Sequence, residues 1–291
     1  MILTKDLDNI DVKKEDILAA IVKLDLSSTA GPDGVPSKLL VKTKETISIP
    51  LLIILRKSLD KGKIPTIFKL AHITPIHKGG SKLKPEQYRP VSLTSHIMKV
   101  FERVVKSSIL KHLVKKGLIN PGQHGFVSGK STQTQLLEHL CDVYEAIAEG
   151  VRMDTVYLDF SKAFDKVNHN ILLLKLIKHG IKGKLGLWVK EFLYNRKYRV
   201  IVNGEISDEQ DVSSGVPQGT VLVAILFVIM ISDIDKDVVE SIVRSFADDI
   251  RNSAKIRTEE DRRKMQQDLN VIYKWAENNI CWSSMKRNLN K

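Results

Sequence analysis

Three aspartates have the type and spacing needed for metal-dependent chemistry. Asp159 follows an apolar run, Thr155 to Leu158, which predicts a buried strand that ends on a carboxylate. Asp248 and Asp249 stand side by side between two short apolar runs. Adjacent aspartates are poor strand and helix formers and are frequent in tight turns, so the pair predicts the turn of a β-hairpin. Because a strand end and a hairpin turn can converge, we expect the three carboxylates to meet at one place.

Such a cluster needs cations, because unpaired buried charges are costly. Carboxylate oxygens suit Mg²⁺, which usually takes one or two protein carboxylates together with substrate phosphates. Two such ions can clamp the attacking and leaving oxygens of an in-line displacement at phosphorus. We expect Asp159 and Asp248 to be the main ligands of two Mg²⁺ ions, for which Mn²⁺ can substitute. Asp249 would help to hold the second ion, and the backbone carbonyl of Phe160 would add a ligand.

A basic hairpin is the next element with chemical capacity. Two predicted strands, Ala71–Ile76 and Tyr88–Leu93, flank a loop rich in lysine and glycine. They put Lys78 and Arg89 on the two arms of the hairpin. Arginine offers a planar fork and lysine a point charge, so this hairpin could fold over a triphosphate. The alternative is a solvated hairpin without a ligand.

Helices must position these strands. Apolar residues recur at helical spacing in several segments, and they predict amphipathic or buried helices packed against the strands. With the strands, they predict an α+β fold. The segments are Glu15–Leu26, Ser95–Lys116, Ser131–Ile147, Ile171–His179, Leu185–Leu193, Thr220–Ile231 and Thr258–Asn278.

The composition favours a polyanionic partner. The chain of 291 residues has 46 Lys and Arg against 34 Asp and Glu, a formal net charge of +12. A basic protein without nucleic acid stays open on charge alone. Two cysteines, Cys141 and Cys281, are too few for a cysteine-rich zinc site or a disulfide framework. The longest apolar run, Val221–Ile231, is too short to span a bilayer. We expect an intracellular protein, in the nucleus and cytoplasm, without a membrane partner.

Six segments in order resemble the reverse transcriptase domain of non-LTR retrotransposons, the LINE-like and jockey-type elements. One segment alone would be weak, but six in order are specific, and the resemblance covers nearly the whole chain. They are Ser28–Pro36, Gln87–Leu93, Gln123–Thr132, Leu158–His169, Ser214–Leu222 and Phe246–Asp249.

The resemblance implies a right-hand polymerase fold of the α+β class, in which helices back an antiparallel palm sheet. It implies an amino-terminal extension of the fingers at 1–60, fingers at 61–150 and a palm at 151–291. The reverse transcriptase domain would lie at about 61–291, with the thumb largely missing. We expect the rest of a polyprotein, an endonuclease upstream and a thumb and carboxy-terminal region downstream, as partners outside this chain.

The implied activity is that of an RNA-directed DNA polymerase, a nucleotidyltransferase that adds dNTPs to the 3′-hydroxyl of a DNA primer on an RNA template. Asp159, Asp248 and Asp249 would be catalytic. By the same resemblance, Lys78 and Arg89 would hold the phosphates of the incoming nucleotide.

The resemblance also assigns contacts to the sugar and the template. Phe164 would exclude a 2′-hydroxyl, and Gln218 would position the nucleotide. The segment that contains Gln123, Lys130 and Ser131 would lie near the template strand. Lys286, in contrast, follows its motif only loosely and is matched to a lysine near the pyrophosphate.

One departure from the family pattern keeps an alternative open. Val223-Ala224 stands where the family usually has Gly-Pro. A degenerate, truncated remnant that binds nucleic acid without polymerising would explain this departure. A metal-dependent nuclease could use the same carboxylates, but it leaves Phe164, Gln218 and the basic hairpin without a role.

Overall fold

A computed structural model describes residues 6–160, 163–212, 214–217 and 219–279, and the backbone alone of residues 285–288. The chain divides into two compact units, and each is discontinuous in sequence. The first contains Met1–Lys116 and Leu173–Val223, and the second contains Gly117–Leu172 and Ala224–Lys291. The sequence divided the chain into contiguous fingers and palm ranges instead, and that division stays a prediction.

Helices occur in both units and are numbered in chain order. None among the described residues is long and apolar enough to cross a membrane. They are α1 (Lys14–Val22), α2 (Ser37–Lys42), α3 (Lys44–Lys61), α4 (His96–Lys115), α5 (Thr132–Ala148), α6 (His169–Lys178), α7 (Gly183–Leu193), α8 (Val223–Met230) and α9 (Glu259–Asn279).

Strands form one sheet in each unit. They are β1 (Leu70–His77), β2 (Tyr88–Leu93), β3 (Arg152–Phe160), β4 (Lys197–Val202), β5 (Glu205–Ile206), β6 (Gln210–Asp211), β7 (Ile242–Phe246), β8 (Asp249–Ile256) and β9 (Met285–Asn288). The mixture of helices and sheets confirms the predicted α+β class.

The sheet of the first unit has the strand order β2-β1-β4-β5, and β6 also pairs with β4. The antiparallel pairing of β1 and β2 confirms the predicted hairpin, with Ile76 opposite Arg89. Lys78 follows the end of β1, and its backbone N–H donates to the Gln87 carbonyl at 2.8 Å. In the helical part of this unit, the buried Trp188 indole donates to the Ser58 hydroxyl at 2.9 Å.

The sheet of the second unit has the order β7-β8-β3-β9, with antiparallel neighbours. Side chains alternate between the faces of a strand, and near the end of β3 Leu158 and Phe160 are buried whereas Tyr157 and Asp159 are exposed. Leu158 and Phe160 therefore belong to the core, and Asp159 lies on the opposite face.

Two predicted boundaries were wrong. Asp249 is the first residue of β8 and not part of the turn, because ladder pairing outweighs the low strand propensity of aspartate. The apolar helix begins at Val223 and not at Thr220. The Glu102 carboxylate accepts the N–H groups of Val221 at 2.7 Å and Leu222 at 2.9 Å, just before the helix starts.

Candidate active site

The register of β3 and β8 brings two of the predicted carboxylates together. Asp159 pairs directly with Asp249, and both side chains are exposed. Paired residues of an antiparallel ladder project to the same face, with Cβ atoms about 4.5–5.5 Å apart. Partial burial of the carboxylate, followed by the negative charge of Asp159, raises the pKa of Asp249. A divalent cation at this point would remove that repulsion.

The third carboxylate sits in the turn between β7 and β8. Because Phe246 pairs with Asp249, only Ala247 and Asp248 connect the two strands. Ala247 is buried and has a φ of 55°, and Asp248 is half-buried. A positive φ is typical of two-residue hairpin turns, but it costs a residue with a side chain about 1–2 kcal/mol. Asp248 therefore depends on a turn that other contacts must hold.

The donor set fits a hard divalent cation. Asp159 and Asp249 offer oxygen ligands from one face, beside Asp248 in the turn. Within the described ranges, no group of three or more His, Cys, Asp or Glu side chains is arranged to hold a metal by itself. Mg²⁺ is usually completed by substrate phosphates, so two protein carboxylates on a shared face are sufficient protein ligands.

A segment from the beginning of the second unit lies along β7 and supports the turn. The N–H of Ser245 donates to the Gly122 carbonyl at 2.9 Å, and the N–H of His124 donates to the Ser245 carbonyl at 2.8 Å. Gln123 is 1% exposed. Its side-chain carbonyl accepts the N–H of Gly125 at 2.6 Å and that of Ala247 at 3.2 Å. The amide of Gln123 thus fixes the residue that precedes Asp248.

Two glycines allow this close approach. A Cβ atom on Gly125 would stand 2.3 Å from the backbone nitrogen of Ala247. A Cβ atom on Gly122 would stand 2.5 Å from the carbonyl oxygen of Val243. Both distances are shorter than any van der Waals contact, so a side chain at either position must displace β7 or its turn.

Charged groups on α5 hold the same strand from another side. The Arg244 guanidinium donates to Glu138 at 3.0 Å and to Asp142 at 3.2 Å. Glu138 also lies 3.2 Å from Nε2 of His124, whose Nδ1 is 2.9 Å from the Thr134 hydroxyl. Burial, and then the positive charge of Lys130, lower the pKa of His124. This network joins α5, β7 and the Gly122–Gly125 segment.

The residues predicted to contact the template form hydrogen bonds within the protein. Gln123 is buried and holds the Ala247 turn. The Ser131 hydroxyl caps α5 by accepting the N–H of Thr134 at 3.2 Å. The Lys130 ammonium donates to the Pro121 carbonyl. Template contact stays a prediction for these three residues, and Gln123 could take part only through the backbone that it orders.

The predicted nucleotide contacts are distributed over both units. Lys78 and Arg89 are exposed in the first unit. Gln218 lies outside the described residues, but Gly219 passes β2 so closely that a Cβ atom there would stand 2.9 Å from the Ser92 carbonyl oxygen. In the second unit, Phe164 is half-buried, and its ring centroid lies 4.4 Å from that of Phe227.

Phe160 and Lys286 flank the paired aspartates in the ladder. Phe160 is buried at the end of β3, and its ring lies 6.5 Å from that of Trp275. Because Phe160 directly follows Asp159, its backbone carbonyl stays a predicted metal ligand. The backbone of Lys286 pairs with Asp159 on the side away from β8.

Sequence reasoning missed the residues that hold the turn. The pairs Gln123 with Ala247 and Glu138 with Arg244 join positions 124 and 106 residues apart. The two glycines of the Gly122–Gly125 segment were the only signal, because they indicate a close backbone approach without naming the partner.

Comparisons with known proteins agree with this architecture. Residues 76–291 match the family model described as reverse transcriptase (RNA-dependent DNA polymerase). The chain is 32% identical over 240 residues to a probable RNA-directed DNA polymerase from transposon X-element of Drosophila melanogaster, covering 77% of this chain and 26% of that protein. It is 30% identical over 276 residues to the RNA-directed DNA polymerase from mobile element jockey of Drosophila melanogaster, covering 92% and 30%.

The chain therefore spans less than a third of the length of these relatives. A solved structure of apo telomerase from Candida tropicalis, truncated from its C-terminal domain, superposes with a TM-score of 0.53 at 13% identity. That match covers 71% of this chain and 47% of the telomerase chain, and it shows a shared fold alone. Because the family model covers most of the sequence, the chain belongs to the reverse transcriptase (RNA-dependent DNA polymerase) family, as a domain of the non-LTR retrotransposon type.

Proposed function

We propose that this chain is the catalytic domain of an RNA-directed DNA polymerase that extends a DNA primer on an RNA template. The observation that carries the proposal is the pairing of Asp159 with Asp249 beside the two-residue turn that contains Asp248. Paired carboxylates on one face, with a third in the adjacent turn, are ligands that could hold the ions of a two-metal phosphoryl transfer.

In the proposed reaction, the primer 3′-hydroxyl attacks the α-phosphorus of a dNTP. The hydroxyl loses its proton to water as the new P–O bond forms, the bond to the β-phosphate bridging oxygen breaks, and pyrophosphate leaves with its charge neutralised. Asp159 and Asp248 would hold the two Mg²⁺ ions, and Asp249 and the Phe160 carbonyl would support them. The ions, when bound, supply electrostatic stabilisation of the attacking and leaving oxygens.

The other residues would act by positioning and charge. Lys78 and Arg89 would neutralise the β- and γ-phosphates, since the exposed arms of their hairpin leave both side chains accessible. Gln218 would position the nucleotide. The template would be held through its backbone and shape, which requires no sequence reading.

Sugar selection is proposed for Phe164. Its ring packs on the fully buried Phe227, and this contact would hold the ring in one orientation. A ring held in that way can exclude a 2′-hydroxyl by leaving no space and no hydrogen-bond partner for it. Single-nucleotide incorporation with Phe164→Ala tests this role. An unchanged preference for dNTPs over rNTPs would contradict it and assign Phe164 to the core.

Primer extension on an RNA template with Mg²⁺ tests the activity. Asp159→Asn should reduce extension more than about 100-fold, beyond the range for residues that only support a metal ligand. Asp154→Asn is the matched control, because Asp154 lies on the same strand and pairs with Arg152 at 2.8 Å. Equal extension by the wild type and Asp159→Asn would refute the proposed site.

The same assay decides between polymerase and non-polymerising remnant. Val223, at the unusual Val223-Ala224 position, is buried and begins α8. Both hypotheses keep the fold, so the burial of Val223 is compatible with either, and the assay is what separates them. RNA binding by the wild type without any extension would favour the remnant instead.

A further inference from the structure

A basic cavity in the first unit has no role in the proposed reaction. It lies between α1 and α4, has a volume of about 330 Å³ and is lined by Lys23, Arg103 and Lys106. That volume is roughly ten times the ~30 Å³ that one molecule occupies in liquid water. The cavity is therefore large enough for a group of several heavy atoms.

The cations that line the cavity have no directly bonded counterion, although the negative charge of the buried Glu102 acts on Arg103. In the part of the chain that the structure describes, none of Lys23, Arg103 and Lys106 forms an ion pair. The acidic side chain in the lining, Asp16, instead accepts the backbone N–H of Lys13 at 2.9 Å at the start of α1. The cavity thus carries an excess of positive charge.

Arg103 has hydrogen-bonding capacity that the described residues do not use. One terminal nitrogen, Nη2, donates to the Lys23 carbonyl at 2.8 Å. The other, Nη1, is buried and has no hydrogen-bond partner among the described residues. A buried guanidinium N–H without an acceptor is costly, and Nη1 itself lies off the accessible surface, so Arg103 acts on the cavity through its positive charge.

The cations also repel one another. Burial, followed by the positive charges of Arg103 and Lys23, lowers the pKa of Lys106. Burial likewise lowers the pKa of Arg103. A bound anion would relieve both effects, because an opposite charge favours the protonated form of each group.

The arrangement along α4 fits a strand better than a free ion. Lys99, Arg103 and Lys106 follow one another at helical spacing on one side of α4, over about 10 Å of helix length. The cavity is accessible from solvent, because Lys23 is exposed and Lys106 is only half-buried. A line of cations of this length can serve more than one phosphate.

We infer that the cavity between α1 and α4 is a phosphate-binding site, and that it takes a backbone phosphate of the single-stranded RNA template. The identity of the strand rests on the proposed function. The phosphate chemistry does not, since it follows from the cations that line the cavity without direct ion pairs.

Binding of a labelled single-stranded RNA to the full chain, followed by anisotropy between about 50 and 200 mM salt, tests the site. Lys106→Gln and Arg103→Gln should each weaken binding and reduce the slope of log K against log salt by about 0.7, the value for one contact to a single strand. Lys111→Gln is the matched control, because Lys111 is exposed on the same helix and outside the cavity lining. An equal loss in all three variants would overturn the site.

The choice of variants separates a loss of binding from a loss of folding. Lys106 makes no hydrogen bond or ion pair to the described residues, so Lys106→Gln should keep the unfolding temperature of the wild type. Arg103→Lys keeps the positive charge and loses the planar guanidinium. It should therefore bind RNA more tightly than Arg103→Gln and more weakly than the wild type. No recovery, with wild-type stability, would contradict the role of the Arg103 guanidinium.

Inorganic phosphate distinguishes the two sources of the ligand. If phosphate raises the unfolding temperature of the wild type and not of Lys106→Gln, while both bind RNA equally, the site takes a free ion and the template assignment is overturned. Primer extension by the same proteins separates this inference from the proposed function. Absent extension with intact, cavity-dependent RNA binding would refute the polymerase and leave the phosphate site standing.

Discussion

The two hairpins that carry the predicted chemistry differ in how they are held. The β7–β8 hairpin closes with two residues, and its buried Ala247 is bonded by Gln123 from a distant segment. The β1–β2 hairpin closes through a long connection in which residues 78–86 are exposed. Its connection has mainly local bonds, such as the Tyr88 hydroxyl to the Lys82 carbonyl at 3.0 Å.

This difference corresponds to the two roles proposed for the hairpins, metal binding by β7–β8 and phosphate binding by β1–β2. Carboxylates that hold metal ions must stay within a fraction of an ångström of the productive geometry, so they need supporting bonds from outside the hairpin. Cations that bind the phosphates of a nucleotide, which enters and leaves in each cycle, need to be accessible to solvent more than they need to be held rigidly. The comparison predicts that substitutions near β7–β8 act through structure, whereas those on β1–β2 act on nucleotide binding alone.

Among the substitutions that test how the two hairpins are held, Gly125→Ala should have the largest effect. The new Cβ would collide with the backbone nitrogen of Ala247, so the turn that contains Asp248 must move. We expect a loss of primer extension of about 100-fold and a fall in unfolding free energy of about 1–3 kcal/mol. The measurements are single-turnover extension and urea denaturation.

Gly186→Ala is the control for Gly125→Ala. Gly186 lies in α7, and the nearest atom to its Cβ would be 3.5 Å away, an ordinary contact. Alanine should therefore leave activity unchanged and raise helix stability by up to about 1 kcal/mol. Similar losses in both variants would show that the close approach at Ala247 has no special role.

Arg89→Ala should act on the nucleotide without acting on the fold. Hydrogen bonds to charged groups contribute about 1.5–3 kcal/mol, so kcat/KM for dNTPs should fall at least about tenfold. The unfolding temperature should not change, since Arg89 is exposed. Steady-state kinetics and a thermal scan measure the two effects, with Arg263→Ala on α9 as an exposed arginine control. If Arg89→Ala lowered the unfolding temperature as well as kcat/KM, the proposed difference between the two hairpins would be wrong.

Asp268→Asn should weaken the support of β7 by about 1.5 kcal/mol at neutral pH. Asp268 accepts the N–H groups of Val239 at 3.0 Å, Glu240 at 3.0 Å and Ser241 at 2.7 Å, just before β7. Although burial acts to raise it, the pKa of Asp268 is held below its usual range by these bonds and by the Ser241 hydroxyl.

The pH dependence of this contribution has a definite sign. Because the folded pKa is depressed, the stabilisation is fully present above the unfolded value of about 3.9 and is lost as the pH falls through the folded pKa. Urea denaturation at a series of pH values should therefore show wild type and Asp268→Asn converging in acid. A constant difference down to the lowest pH would exclude the charge of Asp268 as the cause.

Ala247→Gly should have the smallest effect. Glycine adopts a positive φ without the cost that alanine bears, but it gains entropy in the unfolded chain. The balance should be a stabilisation below about 1 kcal/mol, measured by denaturation, with extension largely retained. A clear loss of stability would mean that the alanine methyl packs more favourably than the turn geometry implies.

The sequence predicted most of the elements, and it also predicted that Asp159 and Asp249 lie close together; the catalytic role of the carboxylates stays a prediction. Apolar periodicity located α4 and α5, and the structure shows the Asn168 side-chain oxygen accepting the N–H of Asn170 at 3.0 Å at the start of α6. The assignment of Asp249 to the turn failed because Asp249 pairs with Phe246 on β7 and also with Asp159 on β3, which lies far away in sequence.

The support of the turn was beyond sequence reasoning for the same reason. Nothing local to Gln123 indicates that its amide is buried against Ala247, and nothing local to Arg244 indicates α5 as its partner. A single sequence shows which residues can bond. It does not show which of many distant partners the fold brings to them.

The long sequence separations also set the order in which the chain can fold. Thr155 on β3 meets Ser253 on β8 across 98 residues, with side-chain oxygens 3.1 Å apart. Pairings of this kind close large loops and form late. At the usual ribosomal rate of about 5–20 residues per second, β3 waits roughly 5–20 s for its neighbour. During that interval the apolar Leu158 and Phe160 are uncovered on an unpaired strand. The nascent chain can therefore aggregate or bind chaperones before it can bind nucleotides.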